Sequence, residues 1–314
     1  MLAARVVQSL ARRCAWGAGC RASDIIGTAG TGSVLASAPP PPLRWLSTPG
    51  GPPEPIEGSV RVNGVQLHYT VSGGPAGLPP IVALPGALGT AETDFGPQLR
   101  GLANSLTVVS FDPRGYGRSR PPERNFPHGF YQRDADDAAA LMQALGHKEY
   151  AVMGWSDGAM SAVLLAASFP AKVDRLLIFG GNAYLSAADI DAFEATRDVA
   201  TSWSPRMRDT HVPVYGEEGL QRLWTCAVDA WGDIYENHDG KVCAEEAKTI
   251  TCPTLVMHGA KDPICLSEHP EWFHANIPGA TGIPIFISAE GKHNFHLRYA
   301  DEVNEAIRNF CTVA

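Results

Sequence analysis

Residues Gly154-Trp155-Ser156-Asp157-Gly158 constrain the fold of this 314-residue chain more than any other five. G-x-S-x-G marks a sharp turn from a strand into a helix that lifts a serine hydroxyl clear of the backbone, and glycines on either side permit the close packing the turn demands. A five-residue pattern recurs by chance, so its flanks decide. Tyr150-Ala151-Val152-Met153 is an apolar run of strand length, and Ala159 to Phe169 is a small-residue helical stretch stopped by Pro170. Strand, turn and helix together predict that Ser156 is a nucleophile rather than part of a structural Ser-Gly turn.

A serine hydroxyl attacks poorly until a base takes its proton, and that base is usually a histidine held in one tautomer by a carboxylate. Around an elbow of this kind the chain order is Ser, then Asp or Glu, then His. Asp262 lies in His258-Gly-Ala-Lys-Asp262-Pro263, just past an apolar strand, and His293 lies in Glu290-Gly-Lys-His293-Asn294, just past the last one. Both are polar loops at carboxyl ends of strands, where a triad needs them. Asp262 has a rival role as a turn cap before proline. His293 has rivals in His296 and His258, and the position of His258 within its own strand favours packing. His68 and His211 read as structural.

The tetrahedral intermediate of acyl transfer carries a negative oxygen that backbone N–H groups must meet. One donor should be Asp157, directly after the nucleophile. The other should come from Pro85-Gly-Ala-Leu-Gly89, with Ala87 the first candidate and Leu88 the second. The Asp157 side chain is unusual there, because an acid beside a developing oxyanion hinders neutral substrates and an enclosed acid needs a partner. It either meets a cationic group of the substrate or caps the following helix, where acids are favoured.

Alternating segments Ser59 to Val62 and Gln66 to Val71, joined by Asn63-Gly64, read as a hairpin. Strands are expected at Ile81 to Leu84, Leu106 to Phe111, Val173 to Phe179, Thr254 to His258 and Pro284 to Ser288, and helices at Arg133 to Leu145 and Asp301 to Phe310. That alternation predicts an α/β fold with a mostly parallel sheet flanked by helices. The strand pattern vanishes over about residues 183–247, where Trp203, Trp224 and Trp231 stand among helix-like stretches. An inserted helical cap over the carboxyl ends of the strands is expected there.

Residues 1–47 differ in composition. They hold Arg5, Arg12, Arg13, Arg21 and Arg44 against the single acid Asp24, and Val6, Val7 and Leu10 interleave with the first arginines. This composition predicts a mitochondrial transit peptide, with Arg44-Trp-Leu-Ser47 resembling a cleavage site. The rival reading is a tail without an address. Removing five cations and one anion from a net charge of −8 leaves −12. The acidic balance argues against nucleic-acid binding, and no run of 18 apolar residues is present to span a membrane. Proline- and glycine-rich residues 48–57 are expected to be a linker and 58–314 the folded domain. Cys14, Cys20, Cys226, Cys243, Cys252, Cys265 and Cys311 lack C-x-x-C spacing, so neither a disulfide framework nor a metal site is predicted.

These motifs together resemble the α/β-hydrolase superfamily. From Gly58 to Phe310 the chain is similar to its biphenyl hydrolase-like family, through Val62-Asn-Gly-Val-Gln-Leu-His-Tyr69, Glu92-Thr-Asp-Phe-Gly-Pro-Gln98, Phe111-Asp-Pro-Arg-Gly-Tyr-Gly117, Gly154-Trp-Ser-Asp-Gly158 and Gly291-Lys-His-Asn294. The resemblance implies a mitochondrial serine hydrolase of α-amino-acid esters, including ester prodrugs, acting through an acyl-enzyme. It implies a Ser156–Asp262–His293 triad and Asp157 as the group that binds the substrate ammonium. No cofactor is implied, the expected partner is a small-molecule ester, and chain length favours a monomer. Ala159-Met160 departs from a glycine-rich continuation of the elbow. Two alternatives stand beside this reading. One is hydrolysis of carbon–carbon bonds in ring-cleavage products, whose anionic substrates want a basic pocket; the other is a non-catalytic ligand receptor on the same fold.

Overall fold

The computed structural model describes residues 54–73 and 77–312. The expected transit peptide at 1–47, the start of the linker, Cys14 and Cys20 lie outside them.

Among the described residues, eight strands form one sheet: β1 (Ile56–Val62), β2 (Val65–Ser72), β3 (Ile81–Leu84), β4 (Val108–Phe111), β5 (Tyr150–Trp155), β6 (Val173–Phe179), β7 (Thr254–Gly259) and β8 (Phe286–Ser288). Their order is β1-β2-β4-β3-β5-β6-β7-β8. β2 runs antiparallel to both its neighbours and every other adjacent pair is parallel, giving the α/β-hydrolase fold. Asn63 and Gly64 close the β1–β2 hairpin at φ 47° and 81°, the left-handed pair that an Asn-Gly turn supplies. The linker ends earlier than expected, since Ile56 and Glu57 already pair with Val71 and Thr70.

The central strands are apolar throughout because both faces of the sheet are covered. In β3, Val82 and Leu84 join one core cluster while Ile81 and Ala83 join the other. The first cluster takes α2 (Phe130–Ala144) and α3 (Asp157–Ser168), and the second takes α1 (Ala91–Gly101) and α11 (Ala300–Thr312).

Between β6 and β7 the chain inserts α4 (Ala187–Glu194), α5 (Val199–Ser202), α6 (Pro205–Tyr215), α7 (Glu217–Asn237) and α8 (Ala244–Ala247). α7 buries Leu220, Leu223, Trp224, Ala227, Val228, Trp231 and Ile234, a three-and-four spacing that makes one apolar stripe. Trp224 packs edge-on against Trp203 at 4.9 Å and against Trp231 at 5.3 Å between ring centroids. The Tyr215 hydroxyl, at the end of α6, accepts from Gly117 N–H and donates to the Leu88 carbonyl at 2.8 Å. The insert is thereby fastened to the loops after β3 and β4. α9 (Glu268–Asn276) and α10 (Phe295–Arg298) complete the chain.

Candidate active site

The chain leaves β3 toward β4 on one side and returns to β5 on the other. The loops after β3 and β5 therefore face each other where the strand order reverses, the usual place for a site in an open sheet. Ser156 sits at the tip of the turn with φ 56° and ψ −124°, a strained conformation costing about 1–3 kcal/mol. Its N–H donates to Phe179 O at 3.0 Å, and its carbonyl accepts from Ala159 N–H at 2.8 Å. A Cβ on Gly154 would stand 2.1 Å from the Gly158 carbonyl, and one on Gly158 would stand 1.9 Å from the Leu84 carbonyl. Both motif glycines are required by close approach of backbone.

His293 Nε2 lies 3.0 Å from Ser156 Oγ, and its Nδ1 lies 2.8 Å from Asp262 Oδ2. The histidine is on the loop between β8 and α10, and the aspartate follows β7. Those loops are stitched together by Ala260 N–H to Ser288 O and Lys261 N–H to Gly291 O. Asp262 Oδ1 accepts from the N–H groups of Ile264 and Cys265 at 2.9 and 3.0 Å. Burial pushes this carboxyl upward, but the His293 charge and hydrogen bond and the two N–H donors outweigh it, so it stays ionised below the ordinary range. Once Nδ1–H is held by Asp262, the other nitrogen is free to take the serine proton.

His296 is elsewhere: its Nε2 bonds the Asp94 carbonyl at 2.8 Å, and burial pushes its pKa down to about 3. His258 is buried in β7, where desolvation lowers its pKa. Gly86 fits against Ser156, since a Cβ there would reach 3.1 Å from its Cβ. Its loop turns through Gly89 N–H to Gly86 O, with Leu88 at φ 62°. Ala87 is half-buried on that turn, and Asp157 opens α3, whose first N–H groups have no partner within the helix.

The Asp157 side chain does not cap its helix. Its Oδ1 accepts from the Tyr131 hydroxyl at 2.9 Å, and its Oδ2, though buried, has no hydrogen-bond partner among the described residues. Burial raises its pKa to about 7, against the opposing pull of the Tyr131 bond and the Arg124 charge. Arg124 spends its charge on Asp134 through bonds of 2.8 and 2.6 Å.

Sequence reasoning missed Tyr131 and Asp94. Asp94, on α1, accepts from Gly86 N–H at 2.8 Å and so fixes the loop beside Ser156; burial raises its pKa to about 7. Tyr131 carried no local motif, and Asp94 stood inside the stretch Glu92 to Gln98 with no role attached to it. Two groups of potential metal-ligand atoms, His258–Asp262–Cys265 and Asp189–Glu268–His269, are already engaged internally: Asp262 by His293, Cys265 by the Gly181 carbonyl, and Asp189 by Ser186, Asn182 and His269. The five described cysteines form no disulfide with one another, and no described helix is long and apolar enough to cross a membrane.

Residues 79–211 match the α/β hydrolase fold family. The chain is 43% identical over 252 residues to the serine hydrolase BPHL of Homo sapiens, covering 80% of this chain and 84% of that protein. It is 40% identical over the same length to the serine hydrolase BPHL of Mus musculus, with the same coverage. Among solved structures, the 2-hydroxy-6-oxo-6-phenylhexa-2,4-dienoate hydrolase of a Rhodococcus strain superposes with a TM-score of 0.68 at 18% identity, covering 82% of this chain and 98% of that one. That last likeness is one of fold. Identity at this level over this length settles the relationship: the chain belongs to the BPHL-like serine hydrolases of the α/β-hydrolase fold.

Proposed function

We propose that this enzyme hydrolyses esters of α-amino acids through an acyl-enzyme on Ser156. The observation that carries the reading is the buried Asp157 carboxyl next to Ser156, with one oxygen held by Tyr131 and the other without a hydrogen-bond partner among the described residues. Arg124 and Asp134 cancel each other nearby, so an ammonium brought against the open Asp157 oxygen is the charge that would hold this carboxyl ionised. An anionic dienoate would meet repulsion instead.

In this reading His293 removes the Ser156 proton as Oγ bonds the ester carbonyl carbon. The Ala87 and Asp157 N–H groups stabilise the resulting oxyanion, and the Asp157 carboxylate holds the substrate ammonium. The carbon–oxygen bond to the alcohol then breaks, and the alcohol leaves with the proton from His293. Water attacks the acyl carbon while His293 takes its proton; the Oγ–carbon bond breaks, Ser156 is reprotonated and the free amino acid departs. Asp262 keeps the imidazole in one tautomer throughout. The arginine-rich residues 1–47 support a mitochondrial destination, which import of a fusion carrying only those residues would test.

The decisive experiment compares an aminoacyl ester with a simple acyl ester of the same alcohol on Asp157→Ala. The aminoacyl ester should lose kcat/KM by about tenfold or more relative to the simple ester, the scale of a lost charged hydrogen bond. Equal losses on both would overturn the ammonium assignment.

A further inference from the structure

Tyr131 stands on α2 and Trp231 on α7 of the inserted cap. The Trp231 indole nitrogen is 2.8 Å from the Tyr131 hydroxyl, which is 2.9 Å from Asp157 Oδ1. An indole N–H can only donate, so the tyrosine oxygen accepts there and its own proton must go to Asp157. The cap thus sets the direction of the bond. All three side chains are buried. Burial raises the Tyr131 pKa well above the ordinary value, and the neighbouring Asp157 charge adds to this, so the phenol keeps its proton.

We infer that Tyr131, oriented by Trp231, is a positioning residue for substrate selection: it occupies one oxygen of Asp157 as a fixed donor, favours the ionised carboxylate, and leaves the other oxygen for the substrate ammonium. The inference rests on the amino-acid ester reading above. Other charged or titratable groups around Asp157 are Asp134, also on α2, Tyr116 and Arg124 from the loop before it, and His293. Arg124 and Asp134 form a bidentate pair, and Tyr116 is neutral, its pKa raised by burial. Tyr131 is the hydrogen bond from protein to this carboxylate among the described residues.

The test measures kcat/KM against pH for an aminoacyl ester and a simple acyl ester of the same alcohol. Wild type, Tyr131→Phe, Trp231→Phe and Asp157→Asn are compared, with each preparation normalised by fluorophosphonate titration of active Ser156. Tyr131→Phe should lower the aminoacyl-to-acyl ratio about tenfold at neutral pH. It should also move the acidic limb of the aminoacyl profile upward by about one pH unit, since the donor that stabilises the charged acid is gone. The simple ester's acidic limb should stay in place. Trp231→Phe should shift the limb in the same direction by less. If Asp157→Asn leaves the ratio unchanged, the ammonium reading itself fails. If Asp157→Asn collapses the ratio but Tyr131→Phe leaves ratio and limb at wild-type values, the positioning role is overturned.

Discussion

The indole nitrogen of Trp155 donates to the main-chain carbonyl of His293 at 2.8 Å, across a sequence separation of 138 residues. The residue before the assigned nucleophile therefore anchors the loop that carries the assigned base, and the two rings lie 5.2 Å apart. Trp155→Phe keeps most of the packing and removes the bond. A neutral hydrogen bond of about 1 kcal/mol corresponds to roughly fivefold, so kcat should fall by about that factor on aminoacyl and simple esters alike. A loss confined to one ester class would show that Trp155 acts on the substrate rather than on the histidine.

Three side chains acting as a unit give non-additive losses. Ser156→Ala, His293→Ala and Asp262→Asn should each lower kcat by about 10⁴ or more, and the Ser156–His293 double variant should be no worse than the poorer single one. His296→Gln provides the contrast. Its ring bonds the Asp94 carbonyl and packs on Phe95 and Trp155, so the change should lower the unfolding midpoint while kcat per folded enzyme falls far less. Steady-state kinetics paired with thermal unfolding separates the two histidines.

The elbow and the loops bearing Asp262 and His293 were legible because each is a local event: a strand ends, and a polar turn follows. α1 was not. Its sequence contains Gly96 and Pro97, which interrupt a helical reading, and its apolar stripe is only Ala91, Phe95 and Leu99; the other signal was Thr90 facing Thr93 in a reciprocal cap. Tyr131 and Trp231 were illegible as a pair for another reason. Each fits an ordinary amphipathic helix, and their meeting depends on how an insert 100 residues away settles on the sheet. Similarly, the early start of β1 follows from partners in β2 rather than from Ile56 and Glu57 themselves.

Two glycines to alanine should move stability in opposite directions. Gly158→Ala drives a methyl to 1.9 Å from the Leu84 carbonyl and 2.5 Å from that of Pro85, both fixed backbone. A cost of at least about 3 kcal/mol is expected, at the top of the range for overpacking. Gly232 lies inside α7 with nothing within 4 Å of an added Cβ. Gly232→Ala should stabilise by about 0.5–1 kcal/mol through restricted unfolded-state freedom. Denaturant midpoints at constant slope would check both, and a stabilised Gly158→Ala would contradict the packing at the elbow.

Asp157 should make the enzyme less stable as pH rises. Its pKa in the folded protein is raised from 3.8 to about 7, with burial as the main cause. Between those two values the unfolded chain has lost this proton while the folded protein keeps it, so folding binds a proton and weakens as pH increases. Below 3.8 the two states bind the proton equally and the effect is absent; above about 7 it is complete. At about 1.4 kcal/mol per pH unit the full effect is a few kcal/mol. Asp157→Asn keeps an oxygen for Tyr131 and cannot ionise. Its unfolding midpoint should therefore exceed that of the wild type by a margin that widens from pH 5 to about 7 and then levels, while the raised pKa of Asp94 affects both proteins equally. A margin independent of pH over that window would mean that Asp157 is already charged in the folded enzyme without substrate, its pKa close to the unfolded value.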